Sequence, residues 1–142
     1  MGNQNAEPQV LVVPCSGIGK VQGLLSREAA YKVTDELLSG RSDTVCLALL
    51  VSGDADTRAK VRKHFCITVD GCPKLCAEKN VELSGGKVAL GIRVYDALKR
   101  HRGAQFGSPT TLSDAGWAAA DEIAAEIAET ARQRIAAAKQ ES

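Results

Sequence analysis

The chain has 142 residues, 44 % of them hydrophobic and 25 % charged, with a formal net charge of +1. That is the size of one domain and the composition of a globular protein. So small a net charge supplies no general attraction to nucleic acid or to an anionic membrane, and no apolar run approaches the roughly 18 residues of a membrane span.

Met1 to Gln9 is polar and carries no basic segment ahead of an apolar one, so no signal peptide is expected and a cytoplasmic location is. Gln9 to Val13 is a short β-branched run that predicts a buried strand, and Pro14 to Gly19 reads as a turn. From Leu24 to Leu38 the spacing of Leu25, Ala29, Val33 and Leu37 predicts a helix, closed by Ser39-Gly40. Thr44 to Val51 is a second continuous apolar run, expected to begin as a strand. Asp54 to His64 predicts a charged helix with Ala55, Ala59 and Val61 on its apolar side, and Cys66 to Val69 a third strand ending in an Asp70-Gly71 turn. Pro73 to Leu83 predicts a helix opened by its proline, which suits the first helical position. Lys87 to Val94 predicts a fourth strand, and Gly103 to Thr111 a looser stretch.

Strands alternating with helices over short connections predict an α/β fold of three layers, built on a mostly parallel four-stranded sheet. One domain is expected over residues 1–142, with the sheet in 10–102 and a long C-terminal helix over 113–139. That helix carries an apolar stripe of Trp117, Ala120, Ile123, Ile127, Ala131 and Ile135. The stripe suits packing against the sheet, and alternatively a homodimer through the helix. An unidentified protein partner is the other binding class left open, while nucleic acid and membrane are not expected.

Five cysteines, Cys15, Cys46, Cys66, Cys72 and Cys76, are an odd number for a disulfide framework, and clustered cytoplasmic thiols point to metal or redox chemistry. Ligands gather outside the carboxyl ends of the strands in an open parallel sheet. Cys15 and Cys72 follow the first and third strands directly, and Cys76 lies one helical turn beyond Cys72, on the same face. Cys46 joins them only if the second strand stops short of it. A helix start at Cys72 and Cys76 would favour thiolate over thiol, the form that binds zinc or iron, and Lys20 would add positive charge. Cys66 reads as a small core residue.

Ser16, Gly17, Gly19 and Lys20 form a loop suited to backbone contacts with sulfur or a small anion. It departs from nucleotide-binding patterns, because Val21 stands where a P-loop needs Ser or Thr and Gln22 where a dinucleotide fingerprint needs Gly. His64, His101 and the basic groups Arg58 to Lys63 and Lys99 to Arg102 read as solvated faces, and the chain has five aromatic residues to support a nucleic-acid patch. Asp35-Glu36 and Asp121-Glu122 are given no catalytic role.

Cys15-Ser16-Gly17, Cys46-Leu47-Ala48 and Asp70-Gly71-Cys72-Pro73-x-x-Cys76-Ala77 together resemble the DGC-domain family, over about Val10 to Glu82. The resemblance implies Zn²⁺ held by Cys15, Cys46, Cys72 and Cys76, leaves Cys66 and the C-terminal helix outside the pattern, and names no reaction. An iron–sulfur cluster on the same ligands is the alternative, and a thiol-dependent redox or sulfur-transfer enzyme is the competing class.

Overall fold

The computed structural model of the protein describes residues 10–15, 19–71 and 73–141, with side chains as far as residue 137. Strand β1, Val10–Pro14, is buried throughout. Its β-branched residues suit a strand covered on both faces. Helix α1, Val21–Lys32, starts three residues before the expected Leu24 and passes into a π turn over Val33–Leu37. Leu38 N–H closes that turn on Val33 O at 2.8 Å.

The run expected as a strand from Thr44 to Val51 divides differently. Strand β2 is only Ser42–Thr44, and Leu47–Ser52 is helix α2. The Cys46 carbonyl accepts from Leu49 N–H at 3.1 Å and from Leu50 N–H at 3.2 Å, so Cys46 caps this helix. Gly53, at φ 89°, closes it in the left-handed region that favours glycine. Leu47 and Leu50 are buried while Leu49 and Val51 are 48 % and 56 % exposed, the one-sided burial of a helix rather than a strand.

Helix α3, Ala55–Lys63, is capped by Asp54, whose carboxylate accepts Thr57 N–H at 3.0 Å and the Thr57 hydroxyl at 2.7 Å. Strand β3 is Phe65–Asp70, helix α4 Cys76–Leu83 and strand β4 Lys87–Arg93. Val94, expected as the end of β4, instead begins a short helix, α5, Val94–Leu98, which runs on as one 3₁₀ turn over Lys99–His101. Helix α6, Asp114–Glu141, starts behind Ser113, whose hydroxyl accepts Gly116 N–H at 3.1 Å.

The sheet is parallel throughout, in the order β2-β1-β3-β4. Residues alternate between two cores. Val10, Val12, Ile67, Val69 and Ile92 face α1, α5 and α6, whereas Leu11, Val13 and Cys66 face α2, α3 and α4. The stripe residues Ala120, Ile123, Ile127, Ala131 and Ile135 are buried in the chain's own core with Leu25, Ala29 and Val33. Trp117 departs from the stripe at 46 % exposed. From β1 the chain goes outward to β2 and then crosses back to β3 on the other side of β1. That reversal makes the β1/β3 junction a topological switch point, the place outside whose carboxyl ends open parallel sheets gather ligands.

Candidate metal centre

Cys15 extends β1 by one residue. Its N–H donates to Val69 O at 2.9 Å, which fixes the thiol at the switch point, and the residue is 6 % exposed. Gly71 N–H donates to Cys15 Sγ at 3.2 Å, and the Cys15 thiol faces Ser26 Oγ at 3.7 Å. The Ser26 hydroxyl in turn donates to Gln22 O at 2.9 Å.

Asp70 and Gly71 shape this edge by different means. Asp70 is 1 % exposed, and its carboxylate accepts Ala77 N–H at 2.8 Å and Glu78 N–H at 3.1 Å. It therefore takes up two of the amides that the first turn of α4 leaves without helical partners. Burial pushes the Asp70 carboxyl above the usual carboxylate range, with the two amides, Arg93 and Lys79 pulling the other way. Gly71 needs its missing side chain. A Cβ there would stand 2.9 Å from the carbonyl carbon and oxygen of Gln22 and 3.1 Å from Gly23 N. The loop after β3 can thus seat on the first turn of α1 and reach Cys15.

Cys46 caps α2, Cys76 is the first residue of α4, and both are exposed. Helices α2 and α4 pack against each other, and Cys15 shares one buried cluster with Leu47 and Ala77, the residues that follow Cys46 and Cys76. The condition on Cys46 is met, since β2 stops at Thr44. The helix expected from Pro73 instead begins at Cys76, after Pro73-Lys74 in a turn and Leu75 at φ 55°. Asp70 sets that start by engaging the amides of Ala77 and Glu78, so those two amides serve Asp70 rather than a thiolate.

Cys72, Ser16 and Gly17 lie outside the described residues. Gly19, at φ 102°, and exposed Lys20 lead into α1. Among the described residues no group of three or more His, Cys, Asp or Glu is gathered so as to hold a metal, so Cys15, Cys46 and Cys76 do not form a ligand set by themselves. The donor chemistry nonetheless fits zinc or iron, because thiolates are soft ligands that select these ions over magnesium or calcium. The Gly71 amide on Cys15 Sγ is the kind of outer contact that tunes a metal-bound thiolate.

Cys66 stands apart. It is fully buried, its thiol faces Val61 O and His64 O, each at 3.6 Å, and burial pushes it up to about 11. His101 is not a free surface group, for its Nε2 is 2.5 Å from Glu122 Oε2 on the α6 side of the sheet. The helix-setting role of Asp70 escaped the sequence reading, although an aspartate ahead of a helix is a capping signal. Arg27 and Tyr31, which with Cys15 and Cys46 line a cleft of about 250 Å³, escaped it too.

No curated protein and no solved structure matches the chain. The family model described as the DGC domain matches residues 11–129. This span is wider than the Val10 to Glu82 of the motifs and takes in β1 through much of α6, so the C-terminal helix is largely part of the pattern rather than outside it. The chain belongs to the DGC-domain family.

Proposed function

We propose that the protein is a metal-binding module in which Cys15, Cys46, Cys72 and Cys76 hold one Zn²⁺ at the carboxyl edge of the sheet. The observation that carries the reading is the bond from Gly71 N–H to Cys15 Sγ at 3.2 Å, because it ties the first cysteine to the loop that bears the third. Cys46 and Cys76 begin two helices that pack on each other next to the same cluster, which supports their inclusion. The reading takes the thiols as reduced, as the cytoplasm keeps them.

Bound zinc would supply a fixed positive centre that draws the loops after β1, β2 and β3 together, and folding energy with it. The chain's own residues supply the rest. Asp70 holds the start of α4, Gly71 seats its loop on α1, and the Gly71 amide orients Cys15. The role is that of a carrier, sensor or accessory module rather than a catalyst.

Purified protein is expected to be colourless and to contain one zinc per chain by elemental analysis. Brown protein with visible absorption would transfer the site to an iron–sulfur cluster. Rapid labelling of a single cysteine at pH 6 in zinc-loaded protein would instead point to a thiol-dependent enzyme.

A further inference from the structure

Ser26 is a polar residue in a place that suits alanine. It lies within α1, is fully buried, and its hydroxyl donates to Gln22 O at 2.9 Å. That carbonyl, one turn back, is already the α-helical acceptor for the Ser26 amide, so the hydroxyl satisfies nothing that the helix leaves open. Alanine is the better helix former and buries no polar group. The other contact of the hydroxyl is the Cys15 sulfur at 3.7 Å, with the thiol as donor and Ser26 Oγ as acceptor. The Gly71 amide donates to the same sulfur at 3.2 Å. One peptide ties these groups together, because the Gln22 carbonyl that takes the Ser26 hydroxyl also abuts Gly71, where a Cβ would stand 2.9 Å from it.

We propose that Ser26 is a positioning residue for the Cys15 sulfur, holding it on the Gly71 amide and donating to it when it is a metal ligand, the second part resting on the metal reading above. In the reduced, metal-free chain the Cys15 thiol proton points to Ser26 Oγ, which leaves the sulfur lone pairs to the Gly71 amide. Ligation replaces the S–H bond with an S–metal bond, and the proton passes to the solvent buffer. A hydroxyl rotates about its C–O bond to suit its partners, so Ser26 then turns its hydrogen from Gln22 O to the sulfur, and Gln22 O keeps the backbone bond of the helix. The sulfur gains a second donor without movement of the backbone. At 6 % exposure Cys15 has little water to supply that bond, whereas the exposed Cys46 and Cys76 have solvent beside them. Outer contacts of this kind set how tightly a metal is held.

The test compares the full reduced chain with its Ser26→Ala and Ser26→Thr variants, loaded with zinc, loaded with cobalt(II) in its place, and stripped of metal by a chelator. Zinc affinity, measured by competition with a chromogenic chelator, should fall about tenfold in Ser26→Ala and return toward the parent in Ser26→Thr, which keeps the hydroxyl. The thiolate-to-cobalt absorption band should move to longer wavelength in Ser26→Ala, since a sulfur without its donor gives up charge more readily. In the stripped chain the Gly71 amide proton should move upfield in Ser26→Ala as the sulfur leaves it, while the urea midpoint does not fall. That combination separates positioning of one sulfur from a general loosening of α1. Where the extra methyl of Ser26→Thr disrupts folding, the Ser26→Ala readouts decide alone. Unchanged zinc affinity, an unmoved Gly71 amide, or a lowered urea midpoint in Ser26→Ala would overturn the proposal. A parent that takes up no metal, with the Gly71 amide displaced in Ser26→Ala, keeps the hold of Ser26 on Cys15 and retires the metal reading. A parent that binds zinc, with Ser26→Ala indistinguishable from it, does the reverse.

Discussion

Asp70 spends a buried carboxylate on two backbone amides. Replacing it with alanine frees Ala77 N–H and Glu78 N–H at the start of α4 and should cost about 1–2 kcal/mol, read as a lower midpoint in urea. Its carboxyl lies above the ordinary value in the folded chain, so the folded state binds the proton more tightly than the unfolded one. This residue's contribution to stability therefore falls as pH rises through the carboxylate range to the raised value. Asp70→Asn should lose that part of the slope, seen by comparing unfolding curves of the two proteins across mild acid. Cys66 behaves alike at the other end of the scale. Between its ordinary 9.0 and the folded value of about 11, the unfolded chain ionises first, and stability should fall with rising pH. Cys66→Ala should remove this alkaline loss, at a cost of about 1 kcal/mol near neutrality. In the parent protein Cys66 should be the last of the described cysteines to react with an alkylating reagent.

At the scale of elements, the strands that lie between two layers were the legible part. Val10 to Val13 and Cys66 to Val69 are runs rich in β-branched residues and buried on both faces, and such runs carry their own signal. Leu47 to Val51 is a continuous apolar run that forms a helix, because a short apolar stretch has no periodicity to separate the two. The true start of α4 was hidden for another reason. A side chain six residues ahead of Cys76 chooses it, and the proline signal at Pro73 is local. Gly71 gives this junction its sharpest test. Gly71→Ala puts a methyl group against the backbone of Gln22 and Gly23, and should destabilise by about 1–3 kcal/mol in chemical unfolding while loosening the loop that reaches Cys15. Helix α6 is bound by a different kind of contact. Ile127 is fully buried against α1, and Ile127→Ala should cost about 2–5 kcal/mol by the same measurement, with the cysteine edge left unchanged.

For the molecule as a whole, alternation of strands and helices was enough to anticipate the parallel sheet, and the motif residues were enough to anticipate the family. The neighbours of the cysteines were not legible, because only the seating of α1 over the sheet brings Arg27 and Tyr31 to the rim of Cys15 and Cys46. No helix among the described residues is long and apolar enough to cross a membrane. What gives the fold its direction is one edge, where the loops after three strands each carry a cysteine of the motif. Metal content of the parent chain and of its five single Cys→Ser variants tests that edge directly. Zinc should be lost in Cys15→Ser, Cys72→Ser and Cys76→Ser, reduced in Cys46→Ser, and retained at one per chain in Cys66→Ser. Zinc retained in Cys15→Ser but lost in Cys66→Ser would contradict the assignment of the ligands, and a parent chain without metal would contradict the site itself.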